Sequence, residues 1–228
     1  MGMHLQVEIE KLQKKLLSLS AIVEDNVYQA VRALKERDAA LAQWVVDADC
    51  DVDEREVDIE EECQKILALH QPVANDLRQI ITVLKVNAEL ERIGDATVNI
   101  GERVVFLVSE EPVDFPFDFP LMAQKAQSML HRSLDALIRF DPPLAYGVIA
   151  ADDEVDAMNH DIYGLISECI RKDPARVDTY IHLLGISRHI ERIGDHASNI
   201  AEEVIYLIEG KIVRHRTEQY KRDMERSS

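Results

Sequence analysis

The sequence predicts an all-α protein, a tandem duplication of a three-helix bundle with six long helices. Three observations predict it. One stretch occurs twice, a hundred residues apart: Glu89-Leu90-Glu91-Arg92-Ile93-Gly94-Asp95 and His189-Ile190-Glu191-Arg192-Ile193-Gly194-Asp195. A long match at one fixed offset marks an internal repeat. Apolar residues recur at helical spacing along most of the chain. Finally, only 8 Gly, 7 Pro and 5% aromatics occur in 228 residues, which favours long helices over sheets.

Residues 5–36 form the first predicted helix, with Leu12, Leu16, Leu19, Val23, Val27, Val31 and Leu34 on one face. Arg37-Asp38 ends it, and Asp38 is the expected N-cap of helix two. Helix two spans 39–69 with an apolar residue every seventh position: Val45, Val52, Ile59, Ile66. Gln71-Pro72 is a tight turn that puts Pro72 at the first position of helix three. Helix three runs from 73 to 109, about 50 Å at ~1.5 Å per residue.

Residues 111–120 hold Pro112, Pro116 and Pro120 among Phe115, Phe117 and Phe119, and cannot continue a helix. They divide a first bundle (5–110) from a second (121–210), and the phenylalanines are expected to pin them to the bundle surface. The second half repeats the plan. Helix four covers 121–140, and Asp141-Pro142-Pro143 caps helix five, with its stripe of Val148, Val155, Ile162 and Cys169. Lys172-Asp173-Pro174 turns the chain into helix six, which Gly210 stops. A polar, charged tail over 211–228 is expected to be mobile or frayed.

The formal net charge of −17 argues against nucleic acid as a partner and suits cations or a basic protein surface. Cys50, Cys63 and Cys169 form no C-x-x-C, and are expected to be buried, small apolar residues. No signal-type segment and no long uncharged apolar run is evident. The chain therefore reads as a cytoplasmic protein with reduced thiols and no membrane insertion.

Within each repeat, Glu91 and Asp95, and Glu191 and Asp195, stand one turn apart, opposite an apolar face. Helices two and five carry the same device in Asp49/Asp53 and Asp152/Asp156. Helices joined by a tight turn run antiparallel, so residues equidistant from the turn lie level. Counting from Pro72 sets Asp53 beside Glu91 and Asp49 beside Asp95. Counting from Asp173-Pro174 sets Asp156 beside Glu191 and Asp152 beside Asp195. Four carboxylates brought together repel by about 4 kcal/mol per pair at ~4 Å and an effective dielectric of ~20. Arginines, protonation or hard cations would offset that, and all-oxygen clusters suit hard cations. A single acidic pair usually marks only a solvated face; four pairs, level in both halves, favour a cation site. Asn99, Asn199, Glu102 and Glu202 are second-rank ligands. His182, His189 and His196 recur every seven residues away from the carboxylates and read as flank or interface residues. The Gly94 and Gly194 positions imply a close helix contact. The basic residues are scattered and mark no phosphate pocket.

The doubled Glu-Arg-Ile-Gly-Asp, Asp76-Leu77-Arg78 after Pro72 and the duplicated three-helix plan resemble the PhoU family of bacterial phosphate-signalling regulators. The resemblance covers residues 5–210. It implies multinuclear metal clusters (iron, zinc, manganese or magnesium) on Asp49, Asp53, Glu91, Asp95, Asp152, Asp156, Glu191 and Asp195. It also implies a homodimeric, non-enzymatic adaptor in the cytoplasm. Such an adaptor would couple the nucleotide-binding subunit of a phosphate ABC transporter to a sensor histidine kinase and restrain phosphate uptake. One departure is the second turn, where Pro174-Ala175-Arg176-Val177-Asp178 lacks Asp-Leu-Arg. Two alternatives stay open: an accessory of a low-affinity phosphate transporter, and an all-α metal-dependent phosphohydrolase. The second lacks support from motifs, since no Glu-x-x-Glu occurs; a di-iron oxidase would need Glu-x-x-His twice, and none occurs either.

Overall fold

The structure, a computed structural model, describes residues 2–213. The helices are α1 (Gly2–Glu36), α2 (Ala39–Asp47), α3 (Asp49–His70), α4 (Ala74–Ser109), α5 (Phe119–Arg139), α6 (Pro142–Lys172) and α7 (Val177–Glu209), with a 3-10 turn at Pro174–Arg176. The expected helix two is therefore divided at Ala48. The division is shallow: Ala48 keeps right-handed backbone angles and its N–H still reaches the Trp44 carbonyl. α1, α2–α3 and α4 form one bundle, and α5, α6 and α7 the other. α4 packs along α7, so the two repeat helices form the seam between the halves.

Local chemistry sets the boundaries. Asp38, Asp118 and Asp141 each accept an N–H from the residue three positions on, capping α2, α5 and α6. Gln71 and Phe140 adopt left-handed angles at the ends of α3 and α5, and Gly210 does so after α7. Two expected boundaries move. Gln71, Pro72 and Val73 all lie in the connection, and α4 starts at Ala74, so Pro72 does not occupy a first helical position. With Asp118 as cap and Pro120 in its first turn, α5 takes in Phe119 and Pro120 from the expected linker.

The stripes face the core. Val45, Val52, Ile59 and Ile66 are buried, as are Val148, Val155 and Ile162, while Cys169 is half-buried. Cys50 is exposed, because it lies outside the stripe, so the expectation of three buried cysteines holds for Cys63 alone. Burial pushes the Cys63 thiol up to about 12. The phenylalanine strap is pinned as expected: Phe115, Phe117 and Phe119 pack ring against ring, and Phe115 meets Tyr180. Arg37 donates to the carbonyls of Leu107 and Glu110, and Arg176 to that of Glu111, fixing the start of the strap. Of the expected mobile tail, Val213 is buried in the core, and residues 214–228 lie outside the described residues.

Candidate metal centre

The repeat glycines mark where the acidic helices come close. A Cβ added at Gly94 of α4 would stand 3.2 Å from Val52 Cγ1 and 3.4 Å from Asp49 Oδ1. At Gly194 of α7 it would stand 3.5 Å from Asp152 Oδ1. Each repeat glycine thus lies against the first aspartate of the facing Asp-x-x-x-Asp, one residue from Asp95 or Asp195. That is the level pairing counted from the turns.

In the second half, Asp152, Asp156 and Asp195 each offer an oxygen, and the three atoms lie within 4.8 Å of one another. Asp152 Oδ1 is buried and makes no close hydrogen bond among the described residues, though Ser198 acts on the carboxyl and favours its charge. Burial, then Asp195 and Asp156, push the Asp152 carboxyl up to about 7. Burial and Asp156 raise Asp195. Burial, Asp195 and Asp156 raise Glu191, whose oxygens lie outside the tight triad. The site therefore favours a proton or a cation over bare charge.

The first half is looser. Asp53 and Asp95 are exposed, while Asp49 and Glu91 are half-buried. Burial, Asp53 and Asp95 push Asp49 up to about 6. Burial raises Glu91, with Asp95, Glu56 and Asp53 acting in the same direction. Among the described residues, no three of these acids meet as closely as the triad. Glu56 joins this site although sequence reasoning missed it. It sits one turn beyond Asp53, and buried Asn87 donates to both its carbonyl and its Oε1 at 2.9 Å. The corresponding contact in the second half runs from Ser187 to Asn159, 2.8 Å, so an amide replaces the carboxylate there. A charge pattern one turn longer than Asp-x-x-x-Asp was the available signal.

The second-rank ligands are engaged elsewhere. Asn99 donates to the Asp95 carbonyl, and Asn199 to Glu89 across the seam at 3.0 Å. Glu102 is exposed, and Glu202 lines a small cleft with Lys85, Glu203 and Tyr206. His182 and His196 lie on the α4–α7 seam. His182 stacks on Phe106, with centroids 3.8 Å apart, and His196 Nδ1 lies 2.7 Å from Glu89 Oε2. Glu89 is itself buried, and burial opposes its ionisation. Hydrogen bonds from His196 and Asn199, with the charges of His196 and Arg92, outweigh that and hold its pKa down.

The model of the PhoU domain matches residues 16–104 and again 119–204. The chain belongs to the PhoU family. It is 38% identical over 209 residues to a phosphate-specific transport system accessory protein PhoU homolog of Pseudomonas aeruginosa, covering 91% of this chain and 86% of that protein. A homolog of the same description from Aquifex aeolicus is 36% identical, covering 93% and 96%. The crystal structure of PhoU from Pseudomonas aeruginosa superposes with a TM-score of 0.86 at 37% identity, over 90% of this chain and 99% of that one. The phosphate transport system regulatory protein PhoU from Streptococcus pneumoniae gives 0.82 at 26% identity, over 92% and 99%. The family is thus the one that the doubled motif resembles, with the same all-helical duplicated fold. No helix among the described residues is long and apolar enough to cross a membrane.

The second-half donor set fits a metal: it consists of oxygen alone, its members repel one another, and its buried Asp152 Oδ1 makes no close hydrogen bond among the described residues.

Proposed function

We propose that the protein is a regulatory accessory of a phosphate transport system in the cytoplasm, with two hard-cation sites on its acidic faces. In this reading it is a dimeric adaptor that touches the transporter's nucleotide-binding subunit and a sensor histidine kinase. It restrains uptake and the phosphate response when phosphate is plentiful. The observation that carries the reading is the match to named phosphate-transport accessory proteins over nine-tenths of the chain.

Asp49, Asp53, Glu91 and Asp95 would hold cations in the first half, joined by Glu56. Asp152, Asp156, Glu191 and Asp195 would hold them in the second. Bound cations would supply positive charge that cancels carboxylate repulsion. The chain's own part is positional. Gly94 lets Val52 and Asp49 come close to α4, and the packed seam holds the two acidic faces at a fixed spacing. A surface so fixed suits docking rather than turnover.

The test is genetic and biochemical. A strain lacking the gene is complemented with the wild type or with a variant in which all eight carboxylates are alanine. Phosphate-responsive expression is then read, together with capture of the two named partners. Restored repression and capture by the wild type alone is the expected result. Full repression by the variant would remove the metal sites from the mechanism. Capture of neither partner by the wild type would remove the adaptor.

A further inference from the structure

The seam between the halves is antiparallel: the contacts Lys85–Glu203, Glu89–Asn199 and Phe106–His182 step up α4 as they step down α7. Because α4 and α7 are repeats, each contact at one end has a mirror at the other. At the Lys85 end charge is matched. Lys85 Nζ meets Glu203 at 2.9 and 3.0 Å, and Glu89 meets Arg92 at 2.7 Å and His196 at 2.7 Å. The mirror of Lys85–Glu203 is Gly185–Arg103, and the mirror of Glu89 is His189. Both carboxylates of the matched end are thus replaced by bases. Arg192 mirrors Arg92 but has an imidazole where Arg92 has its acid, and Arg188 adds a further guanidinium.

The side chains converge. Gly185, Arg188, His189 and Arg192 lie on one face of α7 at helical spacing. Arg103 reaches over from α4, and a Cβ at Gly185 would collide with its Nε. Arg103 Nη1 is anchored to the Asn99 carbonyl at 2.8 Å. His189 Nδ1 is buried without a partner, and Arg103, Arg192 and Arg188 all act on its ring. Among the described residues, no carboxylate forms an ion pair with any of the three arginines. Glu102, the sequence neighbour of Arg103, is the acid that acts on it at longer range.

Three guanidiniums therefore gather without a contact ion pair, in a chain of net charge −17; Glu191 and Asp195 act on Arg188 and Arg192 only at longer range, as Glu102 does on Arg103. We propose that Arg103, Arg188 and Arg192, with His189, form a phosphoryl-oxyanion site at this end of the α4–α7 seam. The ligand supplies the negative charge that Glu203 and Glu89 supply at the matched end, held by the bases that stand in their places. Planar forks of N–H donors suit the oxygens of a tetrahedral oxyanion. Free phosphate and a phosphorylated side chain share that chemistry. The site uses none of the triad's carboxylates, but it shares α7 with them, and Arg192 and Arg188 act on Asp195 and Glu191 at longer range, so its test is made on metal-free protein.

The experiment is calorimetric titration of inorganic phosphate into full-length protein stripped with a chelator, so that no bound metal can hold the anion. Saturable binding with a Kd at or below about 1 mM is expected. It should weaken by about tenfold or more in Arg103→Gln and in Arg188→Gln, and persist in the charge-matched control Arg55→Gln. Phenyl phosphate separates the sources: equal binding shows a site open to a tethered phosphoryl group, and loss of binding shows one closed around the free ion. His189→Glu restores the mirrored acid. It should abolish phosphate binding while raising the melting temperature in phosphate-free buffer. No saturable binding by the wild type, or binding indifferent to all three substitutions, would overturn the proposal. So would binding of a polyglutamate peptide that depends on these arginines while phosphate does not bind.

Discussion

Replacing Asp152 by Asn should stabilise the metal-free protein and cost it its cation response. Asp152 is held in the native state with a pKa of about 7 against 3.8 for an ordinary aspartate. A raised acid pKa means that folding takes up a proton wherever the unfolded chain has lost it. The penalty is absent below the unfolded value, grows as pH rises from there to the native value, and is complete above it. The rise from 3.8 to about 7 sets a ceiling of roughly 4 kcal/mol, at ~1.4 kcal/mol for each tenfold change in the proton equilibrium. Partial exposure and sharing of the proton with Asp156 and Asp195 bring the working figure down to about 1–2 kcal/mol. Urea unfolding in a chelator, at about pH 5 and about pH 8, reads it directly. The wild type should lose about 1–2 kcal/mol on going to the higher pH, and Asp152→Asn should lose less. Added Mn²⁺ or Mg²⁺ should restore the wild type at the higher pH and do much less for the variant. A wild type equally stable at both values, or a variant no more stable than wild type at the higher one, would refute the reasoning.

Three more outcomes follow from the packing. Gly101→Ala should destabilise by about 1–2 kcal/mol in thermal or urea unfolding, because its Cβ would stand 3.0 Å from the Ala42 carbonyl oxygen and from Val46 Cγ2. Gly194→Ala meets only ordinary contacts at 3.5 Å or more, so helix propensity wins and stability should rise by up to about 1 kcal/mol. Glu89→Ala removes the acceptor shared by Arg92, His196 and Asn199, and should cost about 2–4 kcal/mol in the same assays.

The sequence made the site more legible than the seam. The acidic levels could be counted because each pair of helices is joined by a short turn, so register follows from residue number alone. Even a division at Ala48 leaves Asp49 level with Asp95, because its backbone stays right-handed. Boundaries set by single residues were harder. Gln71 takes left-handed angles and moves the start of α4 past Pro72, and Asp118 rather than a proline begins α5. The seam was illegible because no short turn joins α4 to α7. Arg103 lies far in sequence from Arg188 and Arg192, so the basic residues read as scattered until α4 and α7 were set side by side. Glu56 escaped for a different reason: its repeat partner is Asn159, so the duplication that exposed the other acids gave no second copy of it.

The most direct measurement is the metal content of the purified protein by inductively coupled plasma mass spectrometry, beside the variant Glu91→Ala, Asp95→Ala, Glu191→Ala, Asp195→Ala. Hard cations that survive gel filtration in the wild type, and are lost from a variant of unchanged helicity, are the predicted result. Equal metal in both proteins, or none in either, would contradict the account of the acidic faces as cation sites.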